Sequence, residues 1–395
     1  MNIRRFLFAA FVMIAVASFG QQQAYPPRVI TTAVPFVSIN PDSRGGAMGD
    51  CGVASAPDVY SMHYNAAKYV FLEDKVNVGI GYSPWLQALV KDMGLFYVAG
   101  AYKINDRSAV AATLRYFKVG EVDFRDENNE PIRVVSPNEW AIDATYSRML
   151  GDYLSGAVSG RFIYSDLTQN GFDYSRAGIS VAADISVYYR RPVEWFKSTD
   201  ANFAWGASIN HIGSKMSYNT TSDKKDFIPT TLRLGACLDL ELNDYNTLAF
   251  NVDFSKLLVP TPCVVDTTGE IIGYDNDVAV VTGMLHSFYD APGGFYNDHG
   301  EWVNYVKFYE ELCEINFGLG IEYWYNKLFS VRAGYFNESA LKGNRKYVTV
   351  GAGLRYNVFG LDVSYLVPVG TRVGTNPLEN TLRFNLSFAF GKKKS

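Results

Sequence analysis

The sequence predicts an exported all-β protein, a 14-stranded antiparallel transmembrane β-barrel with an N-terminal plug-like segment and long loops at one rim. Three observations carry this reading. From Lys75 onward, apolar and polar residues alternate in runs longer than the strands of ordinary globular sheets. The connections between these runs alternate between tight and long. The composition agrees: charged residues are only 19%, with 27 Tyr, 26 Phe and 34 Gly. That is little charge for soluble domains and enough aromatic residues for two interfacial girdles. A mean hydropathy of −0.05 excludes a helical multi-span protein, and a net charge of −4 gives no reason to expect nucleic acid as a partner.

In chain order, residues 1–20 read as a cleaved signal peptide. Arg4 and Arg5 precede an apolar run from Phe6 to Ala17, closed by the small residues Ser18 and Gly20, with Gln21 as the new N-terminus. The run is too short for a transmembrane helix, which needs about 20 apolar residues. Residues 21–74 are irregular and rich in Pro, Gly and Ser, and residues 75–395 form the barrel.

Strands are expected near 75–82, 94–104, 108–119, 139–149, 153–164, 176–190, 202–212, 229–242, 246–256, 314–325, 328–337, 346–357, 360–367 and 381–390. Each shows period-two patterning, as in Leu232, Leu234, Ala236, Leu238 and Leu240 against Arg233, Gly235, Cys237 and Asp239. Val76, Trp140, Ile185, Leu238, Phe317 and Phe384 are assigned to lipid, and His211 shares that parity. The opposite face carries both signs of charge, including Asp143, Arg161, Asp184, Glu322, Arg332 and Asp362, which predicts mutually compensating pairs in the lumen. Tight turns such as Gly151-Asp152 and Asn326-Lys327 belong to the periplasmic rim, and an even strand count puts both termini on that side. The connection from Arg191 to Ala201 is longer than its class predicts.

The longest loop spans 257–313. Asp277 is expected to cap a helix running to Leu285, and Trp302, Tyr305, Val306, Tyr309 and Leu312 recur as the apolar stripe of a second helix. That stripe is either a lid on the barrel mouth or a docking surface. The aromatic anchors for docking are Phe295, Tyr296, Trp302, Tyr305 and Tyr309.

Among the four cysteines, Cys263 and Cys313 flank this loop and are expected to pair. Closing about 50 residues would contribute roughly 4 kcal/mol. Cys51 in the plug and Cys237 of lumen parity form the second expected pair. Neither a metal site nor a cofactor is expected. Cysteine spacing is wrong for zinc, only four histidines occur, and no nucleophile-elbow, zincin or phosphate-loop motif is present, so the chain reads as a non-enzyme. Asp266-Thr267-Thr268 has the form of a surface O-glycosylation site.

The segment Ser43-Arg44-Gly45-Gly46-Ala47-Met48-Gly49-Asp50, followed by Ala56-Pro57-Asp58 and Ser61-Met62-His63-Tyr64-Asn65-Ala66-Ala67, resembles the N-terminal signature of FadL-like outer-membrane barrels. Within them it is most similar to the PorV-like family of the Bacteroidetes type IX secretion system. Asn65-Ala66-Ala67 departs from the usual Asn-Pro-Ala. The resemblance implies an integral outer-membrane protein that works by binding. Its implied partners are a large translocon barrel, the C-terminal signal domains of secreted cargo, a surface sortase or attachment complex, and outer-membrane lipids. The alternative implied by the wider group is a transporter of hydrophobic small molecules, with residues 21–74 as its hatch. The charged lumen face argues against an apolar pocket of that kind.

Overall fold

The computed structural model describes residues 27–85, 92–126, 128–169, 174–196, 199–221, 224–265, 271–297, 301–304, 306–369 and 381–392. The proposed signal peptide, Asp266-Thr267-Thr268, Tyr305 and His299 lie outside them.

Fourteen strands close into one barrel. They are β1 (Asp74–Pro84), β2 (Gly94–Asn105), β3 (Ser108–Lys118), β4 (Asn138–Met149), β5 (Leu154–Asp166), β6 (Gly178–Val193) and β7 (Asp200–Gly213). After them come β8 (Thr231–Asn243), β9 (Asn246–Leu257), β10 (Ile315–Tyr325), β11 (Phe329–Asn337), β12 (Lys346–Tyr356), β13 (Phe359–Pro368) and β14 (Leu382–Lys392). Every strand pairs antiparallel with its chain neighbour, and β14 closes on β1 with Ile80 opposite Leu386. Closure leaves no backbone edge unpaired, the condition for crossing hydrocarbon with strands.

Alternation fixes the two faces. In β1, Val78, Ile80 and Tyr82 are exposed, while Asn77, Gly79, Gly81 and Ser83 are buried. The other positions assigned to lipid keep their parity. Ile185 is 55% exposed while neighbouring Asp184 is buried, and Leu238 lies outside while Asp239 reaches Arg190 at 2.9 Å in the lumen. At the long-loop rim, Tyr82, Phe96, Tyr116, Trp140 and Tyr164 stand side by side in register across β1–β5. Their rings contact one another at 4.7 Å (Tyr82–Phe96), 6.4 Å (Phe96–Tyr116) and 5.4 Å (Trp140–Tyr164). This is the aromatic girdle that an interface requires.

Three expectations are corrected. The connection after Arg191 is short, because β6 runs on to Val193 and pairs with Ala201 of β7. His211 does not face lipid. The register shifts between Ala183 and Ile185 opposite it, His211 adopts a positive φ of 62°, and its buried ring meets the Pro229 carbonyl at 3.0 Å. A bulge reverses parity locally, which counting by twos does not register. Finally, the described N-terminal residues do not lie with the ends of the barrel. The Arg28 amide donates to the Leu341 carbonyl at 2.7 Å and the Ala33 amide to Phe227 at 2.8 Å, both in connections at the long-loop rim. From there the chain descends inside the barrel until β1 begins at Asp74 on the opposite rim.

Candidate functional site

The descending segment is held by the barrel's own charges. Asp42 caps a single helical turn, α1 (Ser43–Gly46), accepting from the Arg44 and Gly45 amides at 2.8 Å each. The cap aims the Arg44 guanidinium at Glu322 of β10, with bonds of 2.9 and 2.6 Å, and at Asp58 at 3.1 Å. Glu322 also holds Arg332 at 2.7 Å, Arg332 holds Asp362 at 2.7 Å, and Asp362 holds Arg355 at 2.6 Å. Acid and base therefore alternate from plug to wall along six residues. On the other side of the lumen Arg161 bridges Asp143 and Asp184. Charges removed from water are tolerable only when paired in this way, so deleting one member of such a pair costs about 3–5 kcal/mol.

Backbone contacts complete the seat. Asp253 accepts the Gly52 and Val53 amides at 2.6 and 2.8 Å, and Asn65 bonds Val53 and Val187 carbonyls at 3.1 and 2.9 Å. Ser155 and Ser208 donate to the Ala67 and Tyr64 carbonyls at 2.7 and 2.8 Å. At Gly49, whose φ is 66°, the plug backbone touches the wall itself: a Cβ on Gly334 would lie 2.0 Å from the Gly49 nitrogen. Of the Gly-rich run in the sequence signature, Gly49 sits where backbone meets backbone, while Gly45 and Gly46 leave room for the Tyr64 and Arg383 side chains.

Above the plug lies a cavity of 690 Å³, lined by apolar Ile39, Phe117 and Leu366 together with Arg233, Asp253, Glu338 and Arg345. Most of its lining surface is apolar, with Val29, Ile30, Phe36, Trp85, Phe254 and Phe336 also contributing, and the charged groups are set among these side chains. His63, beneath it, contacts Arg115 at 3.3 Å. Among the described residues no group of three or more His, Cys, Asp or Glu side chains is arranged to hold a metal.

The long loop departs from its expected form. The first helix, α2 (Val280–His286), begins after Ala279, and no side chain caps it. Asp277 instead pairs with Lys215 at 3.0 Å. The expected single helix over Trp302–Leu312 is two elements. Trp302–Asn304 pairs as a short strand with Gly294–Tyr296, and only Lys307–Cys313 is helical (α3). Val303 and the aromatic residues 295, 296 and 302 favour extended backbone, and a pattern spaced for a helix was met by a hairpin followed by a helix. The hairpin brings Tyr296 and Trp302 together, rings 5.1 Å apart and edge to face. Phe295 lies beside them in register with Val303, and Tyr309 is carried separately on α3.

Helix α3 is tied to the mouth by its acidic residues. Glu310 meets Arg28 at 2.9 Å and Lys342 at 3.0 Å and accepts the Gly293 amide at 3.0 Å. Burial pushes its carboxyl up, but Lys342 and Arg28 outweigh this and hold it below the ordinary glutamate range. Glu314 meets Lys342 at 2.8 Å, and Lys256 joins both Glu311 and Glu314.

The expected disulfides are absent: all four cysteines are free thiols. Cys51 packs on Gly318 of β10, and Cys237 donates to Asp239 at 3.3 Å. The Cys263 amide bonds the Asn276 side chain at 3.2 Å, whereas Cys313 ends α3, where the salt bridges already fix the loop.

A closed fourteen-stranded barrel with an apolar outer band, aromatic girdle and internal N-terminal plug defines a plugged outer-membrane β-barrel protein. The family model described as type IX secretion system protein PorV matches residues 21–264, more than half of the sequence, and the chain belongs to that family. Among solved structures it is similar to the Pseudomonas putida toluene transporter TodX (10% identity, TM-score 0.48, covering 88% of this chain and 98% of that one). It is likewise similar to the Ralstonia pickettii toluene transporter TbuX (12%, 0.44, 89% and 98%) and to a Pseudomonas aeruginosa FadL homologue (11%, 0.40, 93% and 100%). No curated protein matches the sequence.

Proposed function

We propose that this chain is the non-enzymatic barrel component of the type IX secretion system that binds the C-terminal signal domains of secreted proteins. In this reading it works beside the large translocon barrel and passes cargo to the surface sortase or attachment complex. The observation that carries the proposal, together with family membership, is the seat of the plug. The plug is bonded to the lumen wall through alternating buried charges, and this supports the long-loop rim as the surface on which recognition takes place.

The Phe295, Tyr296 and Trp302 cluster on the hairpin is the proposed anchor, with Tyr305 and Tyr309 following it in the chain. Large aromatic side chains, which have few rotatable bonds, give contact area at low entropic cost. Replacing Tyr296 and Trp302 together by Ala should leave a heat-modifiable barrel but reduce copurification of cargo at least tenfold. Unchanged cargo recovery from a folded double variant contradicts the assignment.

The second reading, transport of a hydrophobic small molecule, draws on the vestibule above the plug. Arg233, Asp253, Glu338 and Arg345 in its lining count against an apolar solute, whose burial beside charge is unfavourable, whereas Phe36, Trp85, Phe254 and Phe336 in the same lining favour one.

A further inference from the structure

Helix α3 has its polarity inverted relative to a loop helix in water. Its buried face is acidic, and Glu310 is fully buried. Phe308 is 68% exposed and Leu312 is 48% exposed. A soluble helix turns its carboxylates outward and its apolar stripe inward. The inversion therefore says that the medium beyond α3 is apolar.

Where that face points follows from the strand it feeds. Ile315 is the first residue of β10, shares outward parity with Phe317, and stands opposite Lys256 of β9. Phe308 and Leu312 stand one turn apart on α3, which ends at Cys313, two residues before Ile315 opens the outward face of β10. Helix α2 carries the exposed pair Val281 and Leu285, and exposed Phe288 follows in the turn after it. The two elements meet at Lys256, whose ammonium lies 5.9 Å from the Phe288 ring centre while binding Glu311 and Glu314 on the acidic side of α3. Lys256 is thereby neutralised, and the surface it would have made polar is left apolar.

From this arrangement we infer that the α2 and α3 stripes lie in the outer leaflet of the membrane, as an interfacial foot that clamps the long loop against lipid beside β9 and β10. Lipid is the occupant because the patch runs into the lipid-facing wall through Ile315 and Phe317, where Lys256, Asn337 and Lys346 are the polar residues in register beside them. Apolar stripes at this height bury themselves a few ångströms into the headgroup and acyl boundary, the ordinary behaviour of interfacial helices. The foot would hold the mouth hairpin at a fixed height above the membrane without any partner protein.

The test uses the full-length protein alone, in nanodiscs of phosphatidylethanolamine and phosphatidylglycerol. Cys263 and Cys313 are replaced by Ser. Spin labels are attached in turn at Leu312→Cys, Leu285→Cys, Ile185→Cys as the wall reference and Lys307→Cys as the water reference. Collision rates with oxygen, which partitions into lipid, and with a neutral nickel chelate, which does not, are then compared. The expected oxygen-to-nickel ratio at positions 312 and 285 matches that at 185 and exceeds that at 307 several-fold. A ratio like that at 307 at either position, in a variant that retains heat-modifiable migration, overturns the inference and shows a surface reserved for another protein.

Discussion

Arg28 and Glu310, 282 positions apart in the chain, join at 2.9 Å where the plug leaves the barrel beneath the long loop. The pair ties the first described residues to α3, and Lys342 adds a third extracellular connection to the same carboxylate at 3.0 Å. Glu310→Ala takes the carboxylate from Arg28 and leaves Lys342 to Glu314 alone, and losing one partner of a buried ion pair costs about 3–5 kcal/mol. The expected result is faster hydrogen exchange across 290–314 with the barrel strands unchanged. Equal protection in variant and parent would mean that the loop is held by other contacts.

The same carboxylate gives the loop a pH dependence whose sign can be worked out. Glu310 is held below the ordinary glutamate range in the folded state, so its stabilisation is complete above the unfolded value of about 4.3 and is lost as pH falls through the lower folded value. Loop protection, corrected for intrinsic exchange, should therefore weaken on acidification below that range. Glu310→Gln should lack this component. A pH response as large in the Gln variant as in the parent would assign it elsewhere.

Gly334→Ala tests the contact between plug and wall. Its new Cβ would lie 2.0 Å from the Gly49 nitrogen, a backbone atom that cannot swing aside. Overpacking of this kind costs about 1–3 kcal/mol, concentrated in the plug. Protease sites in 43–58 should become accessible while the barrel remains heat-modifiable. If the plug stays protected, the segment has another way of seating itself.

Much of this architecture was legible in the sequence, and the failures have identifiable causes. All fourteen strands were found because outward residues such as Val78, Ile80 and Tyr82 face one apolar medium, and alternation is imposed on every strand alike. Compensation of the inward charges was legible for the same reason, although the pairing of Arg44 with Glu322 across 278 positions was not. His211 failed because a bulge breaks parity at one residue. The loop stripe failed because aromatic residues spaced for a helix also suit a hairpin followed by a short helix, and no capping side chain marks where that helix begins. The cysteines failed because proximity in sequence to a shared loop says nothing of where Cys263 and Cys313 point.

The outer face makes its own prediction. Ile185 is exposed near the middle of β6, with Val181 and Val187 on the same side. Ile185→Arg should cost roughly 2–4 kcal/mol in a bilayer, the range for a cation at midplane. Refolding titrations into lipid vesicles measure it directly. A neutral effect would place Ile185 away from hydrocarbon and undo the assignment of faces.

Family membership and a charge-locked lumen together make binding, not passage, the central claim. The most direct measurement is affinity purification of the tagged protein from native outer membranes, with quantitative mass spectrometry of what accompanies it. The account predicts a large outer-membrane barrel and a set of secreted proteins sharing a C-terminal signal domain, the secreted proteins falling at least tenfold when Tyr296 and Trp302 are replaced. Recovery of the barrel alone, from cells that secrete normally without it and fail to take up a hydrophobic solute, would contradict the account and favour transport.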